Sequence, residues 1–344
     1  MAPMEDGLLR EALRAYGLKL RRWTRFRRTV RVETDGGLFA LTAVPDAGRF
    51  ERAVERLLGY ALRQPFVLLP VPTPSGRPVT VVGDRAYALF PWVAADTARH
   101  ALRAGEWRWL PAFLEALAAF HAAYRRPAPA APVRAAADDL IARWTAERSA
   151  LEAWAADAAG RAYPSPVDVL FVHAREALTL ALDAAIEAAR RFRAALEGET
   201  TDVVLLHTRP APERIALTPR GIVLLDWTGA EEGPAVRDLA VFFQSLAPEL
   251  AARSEAAERL RAGLFAYRRR RLWQPEEAAL LRAALFYPGT VLAFFRRHFS
   301  GEARDHLLDR TEAAQAALRA FYARVALAEA LSVPLEERPD VDQK

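Results

Sequence analysis

The stretch that most limits how this chain can fold is 203–227, VVLLHTRPAPERIALTPRGIVLLDW. The apolar run Val203–Leu206 ends on His207, a proline-rich loop follows, and the runs Ile215–Leu217 and Ile222–Leu225 flank a turn at Pro219-Arg220-Gly221. Short apolar runs bounded by turn residues read as buried strands, and two of them astride a Gly-containing turn read as a hairpin. The neighbouring segments carry helical periodicity instead. The sequence therefore predicts one strand and one hairpin set inside a helical region, with Asp226 at the end of the last strand.

Upstream the chain is strand-rich. Residues 5–20 carry Leu8, Leu9, Leu13, Tyr16 and Leu20 at helical spacing. TVRVET (29–34) and LFALTAV (38–44) flank Asp35-Gly36-Gly37, a hairpin signal. A helix is expected over 46–64, capped by Asp46 and striped with Phe50, Val54, Leu57, Leu58 and Leu62. Residues 67–93 read as short strands between Pro/Gly turns, ending in Tyr87–Phe90. From residue 94 helices dominate: 106–124, 136–158, 165–197, 235–245, 250–271, 275–298 and 302–331, with a Pro/Ala linker at 126–135. The expected class is α+β and bilobal. A small antiparallel-sheet lobe covers 1–91, and a mainly helical lobe covers 92–335 and carries the hairpin 203–226. A polar tail, 336–344, ends the chain.

Composition excludes several functions. With 344 residues, 52% hydrophobic and 26% charged, the chain is globular and long enough for two lobes. No uninterrupted apolar run approaches the ~18 residues of a membrane span, so no membrane association is expected. The N-terminus lacks the charged and apolar regions of a secretory signal. The absence of cysteine excludes disulfides and thiolate metal sites and fits an intracellular protein. Lysine occurs only at Lys19 and Lys344, and asparagine does not occur at all. Any chemistry needing either residue in the core is therefore ruled out. The net charge of +5 is concentrated in arginine clusters at 21–28, 268–271 and 296–297. Nucleic-acid binding would need them on one surface with stacking aromatics; solvated arginine faces are the expectation. Arg25, Arg27 and Arg28 read either as an anion-binding group or as a solvated hairpin tip.

Several segments, in order, resemble one family. They are RVETDGGLFALTAVP (31–45), LLPVPTPSGRP (68–78), YALFPWVAADT (87–97), LAAFHAAYR (117–125), HTRPAPERIAL (207–217), IVLLDW (222–227) and VRDLAVFF (236–243). Together, over about residues 7–330, they are similar to the aminoglycoside phosphotransferase superfamily of kinase-like folds, and to its spore-coat, CotS-type branch. The resemblance implies a strand lysine against nucleotide phosphates, a catalytic loop H-G-D-x-x-x-x-N and a metal-binding aspartate. This chain departs from that pattern. Thr42 stands at the lysine position. His207 opens the loop, but Arg209 stands at the general base, and a permanent cation cannot accept a proton. Arg214 stands at the metal-binding asparagine, where its charge would repel Mg²⁺. Asp226 alone matches, and reads either as a metal ligand or as a partner for loop amides. Leu89, Phe90 and Trp92 of the interlobe segment are candidates for a nucleotide cleft.

Other residues carry structural expectations. His207 is expected to bond backbone and His121 to sit in the core. Asp238 is expected to satisfy amides near 207–209 or to pair with Arg209. Glu51 and Glu55 are candidates for the helix glutamate, now without a lysine partner.

Two functions follow. One is a kinase-fold pseudoenzyme resembling CotS-type proteins. It would need no cofactor and would act with other coat or assembly proteins in the mother-cell cytoplasm or spore coat. The other is an active ATP- and Mg²⁺-dependent small-molecule phosphotransferase with relocated groups, Glu213 among them. An ion pair from Arg209 to Asp226 or Asp238 would favour the first.

Overall fold

In the computed structural model, residues 6–26, 29–250, 256–302 and 306–336 are described. Arg27, Arg28, Lys344 and the polar tail from residue 337 lie outside them. The chain divides into two compact units, Met1–Tyr124 with Leu205–Glu232, and Arg125–Val204 with Gly233–Lys344. The division differs from a boundary at 91–92, because two helices after residue 97 and the hairpin group with the sheet.

The first unit begins with α1 (Asp6–Arg14), shorter than the helix expected over 5–20. Gly17 (φ 73°) takes the left-handed conformation that ends the segment. A five-stranded antiparallel sheet follows, built from β1 (Leu20–Phe26), β2 (Thr29–Thr34), β3 (Gly37–Val44), β4 (Thr80–Val82) and β5 (Arg85–Pro91) in the order β1-β2-β3-β5-β4. Most of the arginine cluster 21–28 falls in strand β1, which pairs Trp23 with Val32 and Phe26 with Thr29. Its arginines are exposed on the sheet edge, where charge discourages further strand addition.

Side chains alternate between the faces of a strand, so register assigns the sheet two surfaces. Leu41 lies opposite Leu89, and both join Leu9, Leu13, Val30, Val32 and Tyr87 in a buried cluster with α1. Thr42 lies opposite Ala88, and Val44 opposite Ala86, on the other surface. α2 (Ala47–Ala61) starts where Asp46 accepts the Arg49 N–H at 2.9 Å. It buries Phe50 and Leu57 but leaves Leu58 and Leu62 exposed. After β6 (Asp96–Thr97) come α3 (Ala98–Arg103) and α4 (Trp109–Ala123), whose Leu110, Phe113, Leu114, Leu117 and Phe120 are fully buried.

The chain then enters the second unit. The Pro/Ala stretch expected as a linker forms β7 (Arg126–Pro129), paired with β8 (Thr200–Leu206) from Arg126↔Val203 to Pro129↔Thr200. Proline is tolerated there because the strand is short and donates few ladder bonds. Between them lie α5 (Ala130–Gly160) and α6 (Pro166–Ala195). α6 opens on a capping box in which Ser165 and Asp168 exchange side-chain and backbone bonds.

β8 leads back to the first unit, where β9 (Ile215–Thr218) and β10 (Gly221–Leu224) form the expected hairpin and β9 also pairs with β6. Helices α7 (Val236–Leu250), α8 (Ala256–Arg270), α9 (Pro275–Phe286), α10 (Gly289–Phe299) and α11 (Leu307–Glu336) complete the second unit. The single helix expected over 275–298 is broken at Tyr287-Pro288, since proline cannot continue the backbone ladder. Residues 276–299 reach a spanning length with mean hydropathy 1.6, but that stretch comprises both helices, and Leu281, Leu285, Val291, Leu292 and Phe295 are buried within the unit. α11 continues through Glu336, the first residue of the expected polar tail. Arg271, expected on a solvated arginine face, is instead buried in a two-pronged pair with Glu277 at 2.8 and 2.7 Å.

Candidate functional site

The functional elements of the first unit are anchored by an aromatic cluster. Phe120 of α4 lies 4.9 Å from Trp227 and 5.9 Å from Phe66, ring to ring, and His207 meets Trp227 edge-on at 4.8 Å. The Trp227 indole N–H donates to Leu224 O at 2.8 Å, which fixes the bend after β10. Pulling these large rings from water, at roughly 1.5–3 kcal/mol each, is what fixes the loops between them.

His207 is fully buried at the end of β8. Its Nε2 lies 2.7 Å from Leu225 O, and its Nδ1 accepts the Arg209 N–H at 3.3 Å. One nitrogen donates and the other accepts, which describes a neutral ring locked between two backbone segments. The structure thus gives His207 the backbone-bonding role read from sequence. Thr208 adopts φ 71° and donates to Gly229 O at 3.0 Å. A methyl group on Gly229 would lie 2.7 Å from Thr208 Oγ1, so only glycine fits that approach.

Asp226 also has a left-handed backbone, φ 64° and ψ 66°, a conformation that Asp and Asn tolerate better than most residues. Its Oδ1 accepts the Thr228 hydroxyl at 2.6 Å. Its Oδ2 accepts the Arg214 Nε–H at 3.2 Å and lies 3.8 Å from Arg209 Nη2. Arg209 donates to Thr228 Oγ1 at 3.3 Å, while Arg214 Nη1 reaches Arg209 O at 3.2 Å. The result is a closed ring of two guanidinia, one carboxylate and one hydroxyl. The Arg209–Asp226 ion pair named as the discriminating feature is present.

Thr42, Val44, Asp84, Arg85, Arg209, Asp226 and Thr228 contribute to the walls of a cleft of about 520 Å³ in the same unit. Thr42 Oγ1 is paired with Thr29 Oγ1 at 3.2 Å, so no charge stands at that point of β3. Leu89, Phe90 and Trp92 are not among the cleft-lining residues. Leu89 faces the α1 cluster, Phe90 packs against Phe50 at 6.2 Å, and Trp92 lies beside Phe26 and beneath Arg31. Instead β5 lends Arg85 and Ala86. Sequence reasoning missed Arg85, Asp84 and Thr228. A threonine two residues after an aspartate at a strand end is a recognisable turn signal. Arg85 borders the cleft at the start of β5, where it lies opposite Val82.

The other acids are engaged elsewhere. Glu213 accepts from Arg99 Nη2 at 3.1 Å. Burial pushes its carboxyl up, but its own backbone amide and Arg99 outweigh this and hold it below the usual glutamate range, which makes it a weaker base. Glu51 binds Arg77 Nη2 at 2.9 Å. Glu231 and Glu232 bind Arg49 and Arg56, tying residues 231–232 to α2. Asp238 is fully buried in the first turn of α7, in the other unit.

The donor set does not fit a divalent ion. Among the described residues no group of three or more His, Asp or Glu side chains could hold a metal. Asp226 offers one carboxylate, already hydrogen-bonded on both oxygens and flanked by two permanent cations. Mg²⁺ demands near-octahedral oxygen ligation, and the adjacent guanidinia oppose it.

The architecture is that of a kinase-like phosphotransferase fold, with an antiparallel-sheet N-terminal part and a mostly helical remainder. An aminoglycoside phosphotransferase from Alicyclobacillus acidocaldarius has the same fold, with TM-score 0.71 and 18% identity over 98% of both chains. A spectinomycin phosphotransferase in complex with ADP and spectinomycin matches at TM-score 0.57 and 11% identity, covering 97% of this chain and 99% of its own. A microcompartment-associated aminopropanol kinase matches at TM-score 0.57 and 16% identity, with coverage of 97% and 99%. No family model and no curated protein matches the sequence.

Proposed function

We propose that this chain is a phosphotransferase-fold protein without phosphotransferase activity, a structural or assembly component of the CotS type that needs neither ATP nor Mg²⁺ for its role. The observation that carries this reading is the ion-paired state of Asp226. The carboxylate matching the family's metal-binding position is engaged by Arg214 and Thr228, with Arg209 3.8 Å away. The two arginines stand where a proton acceptor and a neutral amide would be needed. Losing a general base alone costs about 10²–10⁴-fold in rate, and the strand lysine is absent as well. The spore-coat role, with coat or assembly proteins as partners and the mother-cell cytoplasm or coat as location, is supported by sequence resemblance alone.

The competing reading, an active small-molecule kinase, draws on the open cleft and on the enzymes that share the fold. It is weakened by the lowered basicity of Glu213. The test is ATP consumption over a panel of amino-alcohol, aminoglycoside and amino-sugar acceptors, with Mg²⁺ or Mn²⁺. The expected result is no turnover above the protein-free rate. Phosphorylation of any acceptor, abolished by Asp226→Ala, overturns the proposal.

A further inference from the structure

Arg324 of α11 is a buried cation without a counter-charge. The residue is 7% exposed, and its Nε and Nη2 are closed off from solvent with no hydrogen-bond acceptor in reach. Native proteins satisfy nearly all such groups, and an uncompensated charge in the interior is costly. Burial pulls the guanidinium down to about 10, with Tyr287 opposing the shift. The group therefore still carries its charge at neutral pH.

Its neighbours in the second unit do not supply the missing negative charge. Tyr287 stands between α9 and α10, and burial, reinforced by Glu147, pushes its phenol up to about 12. The phenol is thus neutral, and it donates to Glu147 Oε2 at 2.8 Å. Glu147 of α5 is already taken by that hydroxyl and by Arg296 Nη2 at 2.6 Å. Trp144, stacked on Tyr287 at 4.4 Å, has a buried indole N–H that also lacks an acceptor. Arg143, exposed, adds positive charge near Tyr287. Donors and cations are in surplus around Tyr287, and a negatively charged oxygen is what the group lacks.

The unmet nitrogens, Nε and Nη2, share one edge of the guanidinium plane, and the N–H bonds of that edge match a carboxylate. The same edge of Arg77 holds Glu51, at 3.0 Å from Nε and 2.9 Å from Nη2. One unpaired guanidinium calls for one negative charge. A carboxylate supplies it, whereas a phosphate dianion would carry a surplus into the interior. Because Nε and Nη2 are covered, the entering group has to displace part of that cover, which restricts the ligand to a small one.

We propose that Arg324 is the anion-binding group of a site for a small carboxylate-bearing molecule, beside the Trp144–Tyr287 pair. The site lies wholly in the second unit and does not depend on the reading given to the cleft of the first.

The experiment is thermal unfolding of the full chain in sodium acetate or sodium benzoate, against sodium chloride of equal ionic strength. Wild type is expected to gain on the order of 2 °C with at least one carboxylate well above its Kd. Arg324→Met removes an unpaired interior charge at similar volume. It is expected to melt no lower than wild type in chloride, and to lose the gain. Arg324→Gln is expected to lose the gain as well. Arg319→Ala, which removes an exposed charge from the same helix, is expected to keep it. The proposal is overturned if wild type gains nothing over chloride or if either Arg324 variant keeps the gain. It is also overturned if Arg324→Met melts well below wild type in chloride, since the fold would then already satisfy the guanidinium. An equal gain with inorganic phosphate overturns the choice of a carboxylate. None of these measurements involves turnover, so the non-catalytic reading stands or falls separately.

Discussion

Arg214 Nε lies 3.2 Å from Asp226 Oδ2, and this contact joins the start of β9 to the end of β10. It is a stabilising contact at the position where an active phosphotransferase would keep a carboxylate available for metal. Functional groups of enzymes are commonly held at a cost to stability, so removing them often stabilises the fold. The opposite is expected here. Asp226→Asn retains the left-handed backbone preference but leaves two guanidinia without their counter-charge. The expected loss is about 1–3 kcal/mol, read as a lower midpoint in urea unfolding with an unchanged slope. An equal or higher midpoint would mean that Asp226 is strained rather than satisfied.

In the second unit, Asp168 Oδ1 lies 2.8 Å from His298 Nε2 and 2.9 Å from Arg161 Nη1, while Oδ2 accepts the Ser165 N–H at 2.7 Å. Burial pushes the carboxyl up, but His298, Ser165 and Arg161 together outweigh it and hold Asp168 below its usual 3.8. A carboxyl depressed in the folded state stabilises the fold above its unfolded pKa, and this contribution disappears as pH falls through the folded value. Wild type is therefore expected to lose stability below about pH 4 more steeply than Asp168→Asn. Near neutral pH the variant is expected to be less stable by about 1–3 kcal/mol. Guanidinium unfolding of both proteins across pH 2.5–7 checks this; parallel pH profiles would refute it.

Much of the first unit was legible in the sequence because its signals are local. The Asp35-Gly36-Gly37 turn, the Asp46 cap and the 215–224 hairpin each depend on residues within a few positions of one another. Asp226, Arg209 and Arg214 were also visible by position, although that Arg214 would make the shorter contact with Asp226 was not. What failed depended on distant pairing. The strand β7 looked like a linker because prolines and alanines carry no strand signal, and only β8, seventy-odd residues later, makes it a strand. Leu89 was a reasonable cleft candidate by motif, yet its register opposite Leu41 sends it to the α1 side of the sheet.

Arg271 and Glu277 form a buried pair whose side chains are 4% and 6% exposed, and Glu277 Oε2 also accepts the Gln274 N–H at 3.1 Å. The pair therefore joins the end of α8 to the cap of α9. Removing one partner of such a pair strands a charge in the interior and costs about 3–5 kcal/mol. Glu277→Gln is expected to fall in that range, and Arg271→Met close to it. The double variant is expected to recover part of the loss, since two neutral groups need no compensation. A double-mutant cycle by chemical denaturation measures the coupling; additive losses would show that the two side chains act independently.

The clearest prediction of the site chemistry concerns metal. Mg²⁺ is disfavoured at Asp226 because guanidinia already occupy its surroundings, not because the backbone bend is wrong. Wild type is accordingly expected to show no change in melting temperature between EDTA and millimolar Mg²⁺. Arg214→Asn removes the donor at 3.2 Å and introduces an amide oxygen, while Arg209→Asp replaces the cation at 3.8 Å by a second carboxylate. The double variant, with Asp226, would then present two carboxylates and an amide on one face of the cleft, a plausible donor set for a hard cation. It is expected to be destabilised in EDTA by repulsion between its acids, and to regain on the order of 2 °C or more when Mg²⁺ well above its Kd neutralises them. Arg214→Asn alone is expected to show a smaller response, because Arg209 still stands beside the carboxylate. Isothermal calorimetry with Mg²⁺ provides a direct readout of the same comparison. If wild type binds Mg²⁺ as well as the double variant does, the guanidinium ring is not what bars the metal, and the argument from Asp226 to a non-catalytic cleft fails with it.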